Sequence, residues 1–335
     1  MSLMFNNGSN NGSPVTPENI QLWLAKYKTN GVDISLPELL CYRSLSHLLN
    51  LRPSRDIAGA LSGEDRSKIK GRGMEFDEVR HYQPGDDIRS IDWRVTARTG
   101  KTHTKVFREE RERPVFVFTD FTQSMYFGTA YLCKSVQAAH LAALITWNAI
   151  QRGDKVGGLI FNNTQDIELK PKAQAKNALA LMQALVNIHQ PRFEAVQIDA
   201  QGIFLKATQR LQHLAKPGAL VYLISDFNGL NDASMAVISN IARHCEVKAI
   251  LVNDPMEIAL PNSAFQQTLN IANGIERQQI NLGEAATNQK YQSQQATHFE
   301  SIKQSFARYA IALRTMSSAY PIEQQLNQRD LGELV

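Results

Sequence analysis

The chain has 335 residues, of which 43% are hydrophobic and 20% are charged, a balance typical of a globular protein with a sizeable core. Its formal net charge of +4 is too small to indicate a polyanionic partner, and its three cysteines, Cys41, Cys133 and Cys245, lack the spacing of a zinc site. No apolar stretch is long enough to span a membrane and no signal-peptide pattern begins the chain, so we expect a cytoplasmic protein.

The first part of the chain is predicted to contain a tail and two helices. Residues 1–16 are rich in Asn, Gly and Ser and form a predicted disordered tail. A proline preceded by Thr16, a favourable N-cap, predicts a helix over residues 17–27. Leucines at helical spacing predict a second helix over residues 36–51. Together they make an N-terminal helical segment of residues 17–70.

A small β-rich subdomain is predicted over residues 71–113. The dipeptide Pro84-Gly85 is a strong turn signal, and the stretches on either side of it are short and strand-like. Residues 66–113 carry 13 Lys and Arg against 9 Asp and Glu, an excess of +4. This segment therefore accounts for the net charge of the whole chain, and the remainder is balanced.

The remaining residues, 114–335, show apolar strands that alternate with amphipathic helices. This alternation predicts an α/β domain with a doubly wound, mostly parallel sheet and helices on both faces. A hairpin is expected around Gly274, followed by a last helix over residues 293–316. The predicted strands cover residues 115–119, 156–161, 165–169 (antiparallel to its neighbour), 219–225 and 247–252, and the other helices cover residues 130–151, 172–188, 202–215 and 232–244.

Two of the predicted strands end in an aspartate. The first strand of the main domain leads into Asp120, Thr122 and Ser124, which alternate around a short loop, and a later strand ends at Asp226. Ligands bind beyond the carboxyl ends of the strands in an open parallel sheet. Carboxylate and hydroxyl oxygens suit a hard cation such as Mg²⁺ or Mn²⁺. The alternative is that each aspartate caps a helix or forms an Asx turn, and the pairing of two strand-end aspartates favours the metal.

The basic segment has two interpretations. Arginines that alternate with aromatic residues can bind single-stranded nucleic acid. Aspartates and glutamates lie between the arginines of residues 71–113, however, and they favour internal ion pairs. We regard structural pairing as the better-supported interpretation.

One long motif resembles the signature of a bacterial family, domain-of-unknown-function family fifty-eight, which is related to von Willebrand factor A domains. The resemblance extends over nearly the whole chain after about residue 35. The matching residues are Gly71-Arg-Gly-x-Glu-Phe, Arg80-x-Tyr-x-Pro-Gly-Asp-Asp-x-Arg89, Ile91-Asp-Trp93, Ala97-Arg98, the Glu109–Arg111 cluster and Asp254-Pro255-Met-Glu257.

This resemblance implies a von Willebrand A-like sheet with a metal-ion-dependent adhesion site at its carboxyl edge. In that pattern the ligands come from an Asp-x-Ser-x-Ser loop, a threonine of a second loop and an aspartate of a third loop. Asp120, Thr122, Ser124 and Asp226 match the first and third loops, with Thr122 in place of a serine. No hydroxyl side chain in residues 165–207 matches the second-loop threonine.

Members of the family are typically associated with MoxR-type AAA+ ATPases, and such pairs resemble chaperone systems for protein or metalloenzyme maturation. The resemblance therefore implies a non-enzymatic protein-interaction module that binds such an ATPase or an unknown client protein. A bound divalent metal ion would bridge the contact, because a carboxylate of the partner can complete its coordination. A second contact surface is expected in the β-rich subdomain, at Arg80, Tyr82, Asp86, Asp87, Arg89, Asp92, Trp93 and Arg98.

Two other functions stay open. A magnesium-dependent hydrolase would use the same acidic residues, although no single motif of the sequence combines a nucleophile, a base and an orienting group. Nucleic-acid binding by the basic segment of residues 71–113 predicts an affinity that falls steeply with salt.

Overall fold

A computed structural model describes residues 15–48, 74–109, 114–189, 199–260, 267–272, 277–282 and 285–326. The chain divides into two compact units. The larger unit contains Met1–Arg52 and Arg113–Val335, and the smaller unit contains Pro53–Glu112. Most of the predicted tail and residues 49–70 of the predicted N-terminal segment lie outside the described residues.

The strands and helices of the described ranges are numbered in chain order. The strands are β1 (Met74–His81), β2 (His103–Glu109), β3 (Pro114–Phe121), β4 (Lys155–Asn162), β5 (Asp166–Lys172), β6 (Leu220–Ser225), β7 (Glu246–Asn253), β8 (Gln267–Ala272), β9 (Arg277–Leu282) and β10 (Ala312–Ser317). The helices are α1 (Pro17–Tyr27), α2 (Leu36–Cys41), α3 (Trp93–Thr99), α4 (Lys134–Gln151), α5 (Ala175–Ile188), α6 (Ala200–Leu214), α7 (Asp232–Ala242), α8 (Pro255–Ile258), α9 (Ala285–Ala307) and α10 (Ile322–Leu326). Within these ranges, no helix has the length and apolar character needed to cross a membrane.

A six-stranded sheet forms the centre of the larger unit, in the spatial order β10-β7-β6-β3-β4-β5. Neighbouring strands from β10 to β4 pair in parallel, and β5 pairs antiparallel with β4. The mostly parallel sheet and the antiparallel strand beside β4 are thus confirmed. From β3 the chain extends the sheet through β4 and β5 on one side, and then through β6, β7 and β10 on the other. The direction of winding therefore reverses between β3 and β6, which is the topological switch point of the sheet.

Helices cover both faces of the sheet because its central strands are apolar on both sides. In β3, Val115 and Val117 belong to a core formed with α4 and α5, whereas Phe116 and Phe118 belong to a second core formed with α6 and α7. All four side chains are fully buried. Successive residues of a strand point to opposite faces, so a strand buried on both faces is apolar throughout. The predicted α/β class with flanking helices is confirmed.

The N-terminal helices pack into the first of these cores, where Trp23 and Leu39 are buried. The prediction of one helix over residues 36–51 is wrong in its second half, because α2 ends at Cys41 and a short 3₁₀ helix follows at Ser46–Leu48. The hydroxyl of Ser44 donates to the carbonyl of Cys41 at 2.8 Å, and such local bonds compete with helical ones. Residues 49–51 lie outside the described residues.

The last elements of the larger unit also differ in part from the prediction. The antiparallel pairing of β8 with β9 confirms the hairpin expected around Gly274. The helix predicted over residues 293–316 is wrong at both ends, because α9 begins at Ala285 and ends at Ala307 and residues Ala312–Ser317 form β10. Ala310 has a left-handed backbone conformation (φ 52°) between the two elements. The parallel pairing of β10 with β7 extends the sheet at its edge.

The smaller unit contains both strands and helix in its described residues. Strands β1 and β2 pair antiparallel. The Pro84-Gly85 turn is present, with Gly85 at φ 106°, but it does not join the two strands directly. A 3₁₀ helix at Ile88–Ser90 and the helix α3 lie between them. This unit was predicted as β-rich, and the helix α3 was not predicted.

Candidate functional site

The predicted acidic residues lie at the switch point of the sheet. Asp120 is near the end of β3, and Asp226 directly follows β6, the strand that pairs with β3 in parallel. Their side chains are almost completely buried. Because the two strands are neighbours and run in the same direction, their carboxyl ends bring the two carboxylates together. We call Asp120, Thr122, Ser124, Asp226 and the residues that contact them below the acidic rim.

The Asp120 carboxylate is held by groups of its own loop and of β6. Its Oδ1 accepts the backbone N–H of Thr122 at 2.8 Å, and its Oδ2 accepts the hydroxyl of Ser225 at 2.6 Å. The Ser225 oxygen in turn accepts the backbone N–H of Phe227 at 2.8 Å, in a turn where Phe227 has a left-handed φ of 57°. Asp120 therefore forms the Asx turn that was the alternative to a metal site. Its carboxylate also clusters with that of Asp226.

The Asp226 carboxylate binds a buried lysine. The ammonium of Lys134, at the first residue of α4, donates to Asp226 Oδ2 at 2.8 Å and to Glu257 Oε1 at 2.6 Å. The Lys134 side chain is completely buried. Asp226 also accepts the backbone N–H and the side-chain amide of Asn228 at 3.1 and 3.0 Å, and the nearby Ser124 hydroxyl helps to lower the pKa of Asp226.

A second carboxylate hub lies after β7, at Asp254. Its side chain is fully buried and accepts the backbone N–H of Thr129 at 2.9 Å, the hydroxyl of Thr129, the hydroxyl of Ser318 at 2.8 Å and the N–H of Met256 at 2.9 Å. Glu257 Oε2 accepts the N–H of Asp254 at 3.0 Å and completes a capping box on α8. This box positions the second carboxylate that Lys134 contacts.

The charged groups of the rim shift one another's pKa values. Burial, followed by the negative charge of Asp226, raises the pKa of Asp120 above its ordinary value. Burial alone would also raise the pKa of Asp226, but the Lys134 ammonium outweighs it and lowers that pKa. Asp226 and Glu257 thus share the ammonium of Lys134, while Asp120 lies near Asp226 and has no ion pair with a Lys or Arg among the described residues. The cluster carries a surplus of negative charge.

The rim fits a hard divalent cation in the chemistry of its donors. Mg²⁺ keeps several waters and is commonly held by one or two carboxylates, and Asp120 and Asp226 supply two beside the hydroxyls of Thr122 and Ser124. A cation would also relieve the charge surplus. Across the described ranges, no group of three or more His, Cys, Asp or Glu side chains is arranged to hold a metal ion. Water and hydroxyl oxygens would therefore make up most of the coordination.

The loop after β4, which precedes the residues 165–207 in which no second-loop threonine was found, presents amides to the rim. Asn163 Oδ1 accepts the N–H of Gln123 at 3.2 Å, which ties this loop to the first loop of the rim. The hydroxyl of Thr164 bonds to Asn162 Oδ1 at 3.2 Å. A shallow cavity of about 90 Å³ lies beside this loop and is lined by Asn163, Asp166 and Lys206, among others.

The candidate partner-binding residues of the smaller unit divide into two groups. The first group forms internal contacts: Arg80 pairs with Asp86 at 2.7 Å, and the Asp92 side chain caps α3 and lies 3.7 Å from the Lys105 ammonium. Asp87 accepts the N–H of Arg89, and Tyr82 is half-buried. The second group is exposed: Arg89, Arg98 and Trp93, whose side chain is 66% exposed beside an equally exposed Ile88.

Sequence reasoning missed three residues of the rim: Lys134, Ser225 and Glu257. Lys134 opens a helix that is otherwise almost entirely buried, and a charged residue at that place was a usable signal. Glu257 lies three residues after Asp254, the spacing of a capping box, and it belongs to the motif that resembles the family. Ser225 precedes Asp226 within a buried strand, and nothing in the sequence marks its contact with Asp120.

The larger unit is therefore an α/β domain with a buried carboxylate cluster at the switch point of its sheet. A family model described as "Protein of unknown function DUF58" matches residues 78–301 of the chain. Uncharacterized proteins of Mycobacterium bovis and Mycobacterium tuberculosis are 30% identical over 230 residues, which cover 69% of this chain and 71% of theirs. The chain belongs to the DUF58 family.

Two solved structures show a distant similarity. The protein BatB from Bacteroides thetaiotaomicron is 14% identical and covers 59% of this chain and 98% of its own, with a TM-score of 0.37. An aerotolerance-related membrane protein from Bacteroides fragilis is 15% identical and covers 66% of this chain and 99% of its own, also with a TM-score of 0.37. At this level of similarity the two structures do not identify the fold.

Proposed function

We propose that this chain is a non-enzymatic protein-interaction module with a von Willebrand A-like fold that works with a MoxR-type AAA+ ATPase in protein or metalloenzyme maturation. The family resemblance supports this class of partner, and the acidic rim supports the place of contact. The observation that carries the proposal is the surplus of negative charge at the switch point, where Asp226 and Glu257 share one ammonium, that of Lys134, and Asp120 adds a further carboxylate near Asp226. Such a cluster favours the binding of a further cation.

In this proposal the further cation is Mg²⁺ or Mn²⁺. Asp120, Thr122, Ser124 and Asp226 would hold it, and a bound divalent ion supplies a positive charge that a carboxylate of the partner can share. Asp120, Thr122 and Asp226 are buried, whereas Ser124 is half-buried, so Ser124 is the most solvent-exposed of the four proposed ligands. The residues of the chain orient one another through the bonds of Asp120 to Ser225 and of Asp226 to Asn228.

Burial of the hydroxyl–base pairs favours interaction over hydrolysis. Ser225 donates to Asp120, and the Ser135 oxygen lies 2.9 Å from His189 Nε2. A nucleophile and its base need such a contact, but both serines are completely buried and so cannot meet a substrate from solvent. We therefore expect no phosphatase or nuclease turnover. A turnover that disappears in Asp120→Ala would instead support the magnesium-dependent hydrolase.

Binding of the full chain to a MoxR-type ATPase of the same organism tests the proposal directly. We expect Asp120→Ala to weaken binding at least tenfold while its circular dichroism spectrum stays that of the wild type. Because the ATPase itself needs Mg²⁺, the comparison of variants in one buffer is more informative than removal of the metal. Asp232→Ala is the control, since Asp232 is an exposed aspartate on α7. Unchanged binding by Asp120→Ala would contradict a contact at the rim.

The exposed residues of the smaller unit are proposed as a second contact surface. Tryptophan and arginine are the side chains most often found at the energetic centre of protein interfaces. We expect Trp93→Ala to weaken ATPase binding several-fold. Leu179→Ala, which alters an exposed residue of α5, should leave it unchanged. Binding of a single-stranded oligonucleotide that falls steeply with salt, and that Arg89→Glu and Arg98→Glu abolish, would favour nucleic acid as the ligand instead.

A further inference from the structure

Two features of its environment, burial and the helix dipole, disfavour the positive charge of Lys134. Its ammonium is completely buried, and lysine is among the residues that are seldom buried unless paired. It is also the first residue of α4, where the helix dipole disfavours a positive charge. The two carboxylates of Asp226 and Glu257 compensate both effects at 2.8 and 2.6 Å. The position of this lysine is therefore explained by the carboxylates and not by the helix that carries it.

The same ammonium joins two parts of the rim. Asp226 follows β6, and Glu257 belongs to α8, which follows β7. Lys134 comes from a third element and fixes the distance between the two carboxylates. Asp120 has no Lys or Arg within ion-pair distance among the described residues, and its carboxylate is held by the Ser225 hydroxyl and the Thr122 N–H. The positive charge is thus confined to one side of the rim.

We propose that Lys134 is a resident counter-ion of the acidic rim, which partly neutralises Asp226 and Glu257 in the metal-free protein and limits how strongly the rim binds a divalent cation. The inference rests on the proposed role of the rim as a cation-binding surface. A cation bound near Asp120 competes with Lys134 for Asp226 and is repelled by its charge. Removal of the ammonium should make the rim unstable without metal and raise its affinity for metal.

Thermal unfolding of the full chain in EDTA and in a titration of Mg²⁺ or Mn²⁺ tests this inference. We expect Lys134→Met to lower the Tm in EDTA by roughly 6–15 °C, because breaking a buried ion pair leaves carboxylates without compensation. We expect the metal to restore part of this loss, with an apparent affinity at least tenfold higher than in the wild type. A Lys134→Met variant that matches the wild type in EDTA, or that responds to metal no more strongly, would overturn the proposal.

Lys248→Met is the matched control. Lys248 is another buried lysine, which lies 3.3 Å from Glu246 on β7 and pairs in register with Tyr222 of β6, four residues before Asp226. The same change there should lower the Tm and leave the response to metal as in the wild type. A gain in metal response by Lys248→Met equal to that of Lys134→Met would show a general effect of lost positive charge and would refute the specific role.

A double variant keeps the proposal testable if Lys134→Met does not fold. Lys134→Met with Asp226→Asn removes one charge of each sign, so it should recover stability relative to Lys134→Met alone. A double variant that is no more stable than the single one would contradict the counter-ion role. All these measurements use the chain without its partner, so their failure is distinguishable from a failure to bind the ATPase.

Discussion

Replacement of Asp254 by alanine should destabilise the larger unit more than any exposed carboxylate would. Its side chain accepts four hydrogen bonds, from Thr129, Ser318 and Met256. Ser318 is completely buried, so its unsatisfied hydroxyl costs about 1–3 kcal/mol. Loss of the N-cap of α8 costs about 1 kcal/mol, and the bonds to the exposed Thr129 add about 1 kcal/mol. We expect a total loss of about 3–5 kcal/mol.

Urea unfolding followed by tryptophan fluorescence measures this loss. The chain has three tryptophans, and a Trp93→Phe background leaves Trp23 and Trp147, both buried in the larger unit. The unfolding transition then reports on that unit. Asp254→Asn should lose at least half as much, because an amide offers one acceptor oxygen instead of two. The control Asp232→Ala should lose no more than about 1 kcal/mol, and an equal loss for Asp254→Ala would refute the assignment of Asp254 as a hub.

Two further predictions concern buried histidines. Burial lowers the pKa of His189 to about 4, so the imidazole is neutral in the folded protein at neutral pH. The contribution of His189 to the stability of the fold is therefore complete above pH 6.5 and is lost as the pH falls toward 4. The stability difference between the wild type and His189→Gln, measured by urea unfolding, should therefore shrink by about 3 kcal/mol over that range, and a constant difference would contradict a buried neutral histidine. Glu38→Ala should lower the free energy of unfolding by about 2–4 kcal/mol, because Glu38 accepts the Nε2 proton of His140 at 2.5 Å and completes the capping box of α2. The control Glu18→Ala, at an exposed site, should change it by less than about 0.5 kcal/mol.

The parts of the fold that the sequence predicts are those in which local pattern and tertiary environment agree. β3 and β6 are buried on both faces, so their residues are apolar throughout, and the aspartate at each end is visible against that background. The convergence of Asp120 and Asp226 follows once both strands are placed in one parallel sheet. This convergence can be predicted without knowledge of the order of the strands in the sheet. In the structure β3 and β6 are neighbours at the switch point.

The parts that sequence reasoning missed depend on contacts between distant residues. Residues 308–316 continue a helical spacing of apolar side chains, yet Ala312–Ser317 pair with β7, some sixty residues earlier in the chain. In the N-terminal segment, Tyr42, the residue at the end of α2, bonds His140, about a hundred residues away. Lys134 was likewise assigned to a helix by periodicity, because nothing near it in sequence shows the carboxylates that bind its ammonium.

The rim combines carboxylates held in fixed positions with a surplus of negative charge, and this combination suits recognition. Lys134 fixes Asp226 against Glu257, and the Thr122 N–H and the Ser225 hydroxyl fix Asp120, so the carboxylates are in place before any partner arrives. A preorganised charge binds its counter-charge with little cost in conformational entropy. A metal bridge requires an acidic residue of the partner, because Asp120 is itself buried and would contact the partner only through the ion. Charge reversal of that acidic residue of the partner should therefore abolish the contact, as Asp120→Ala should on this chain.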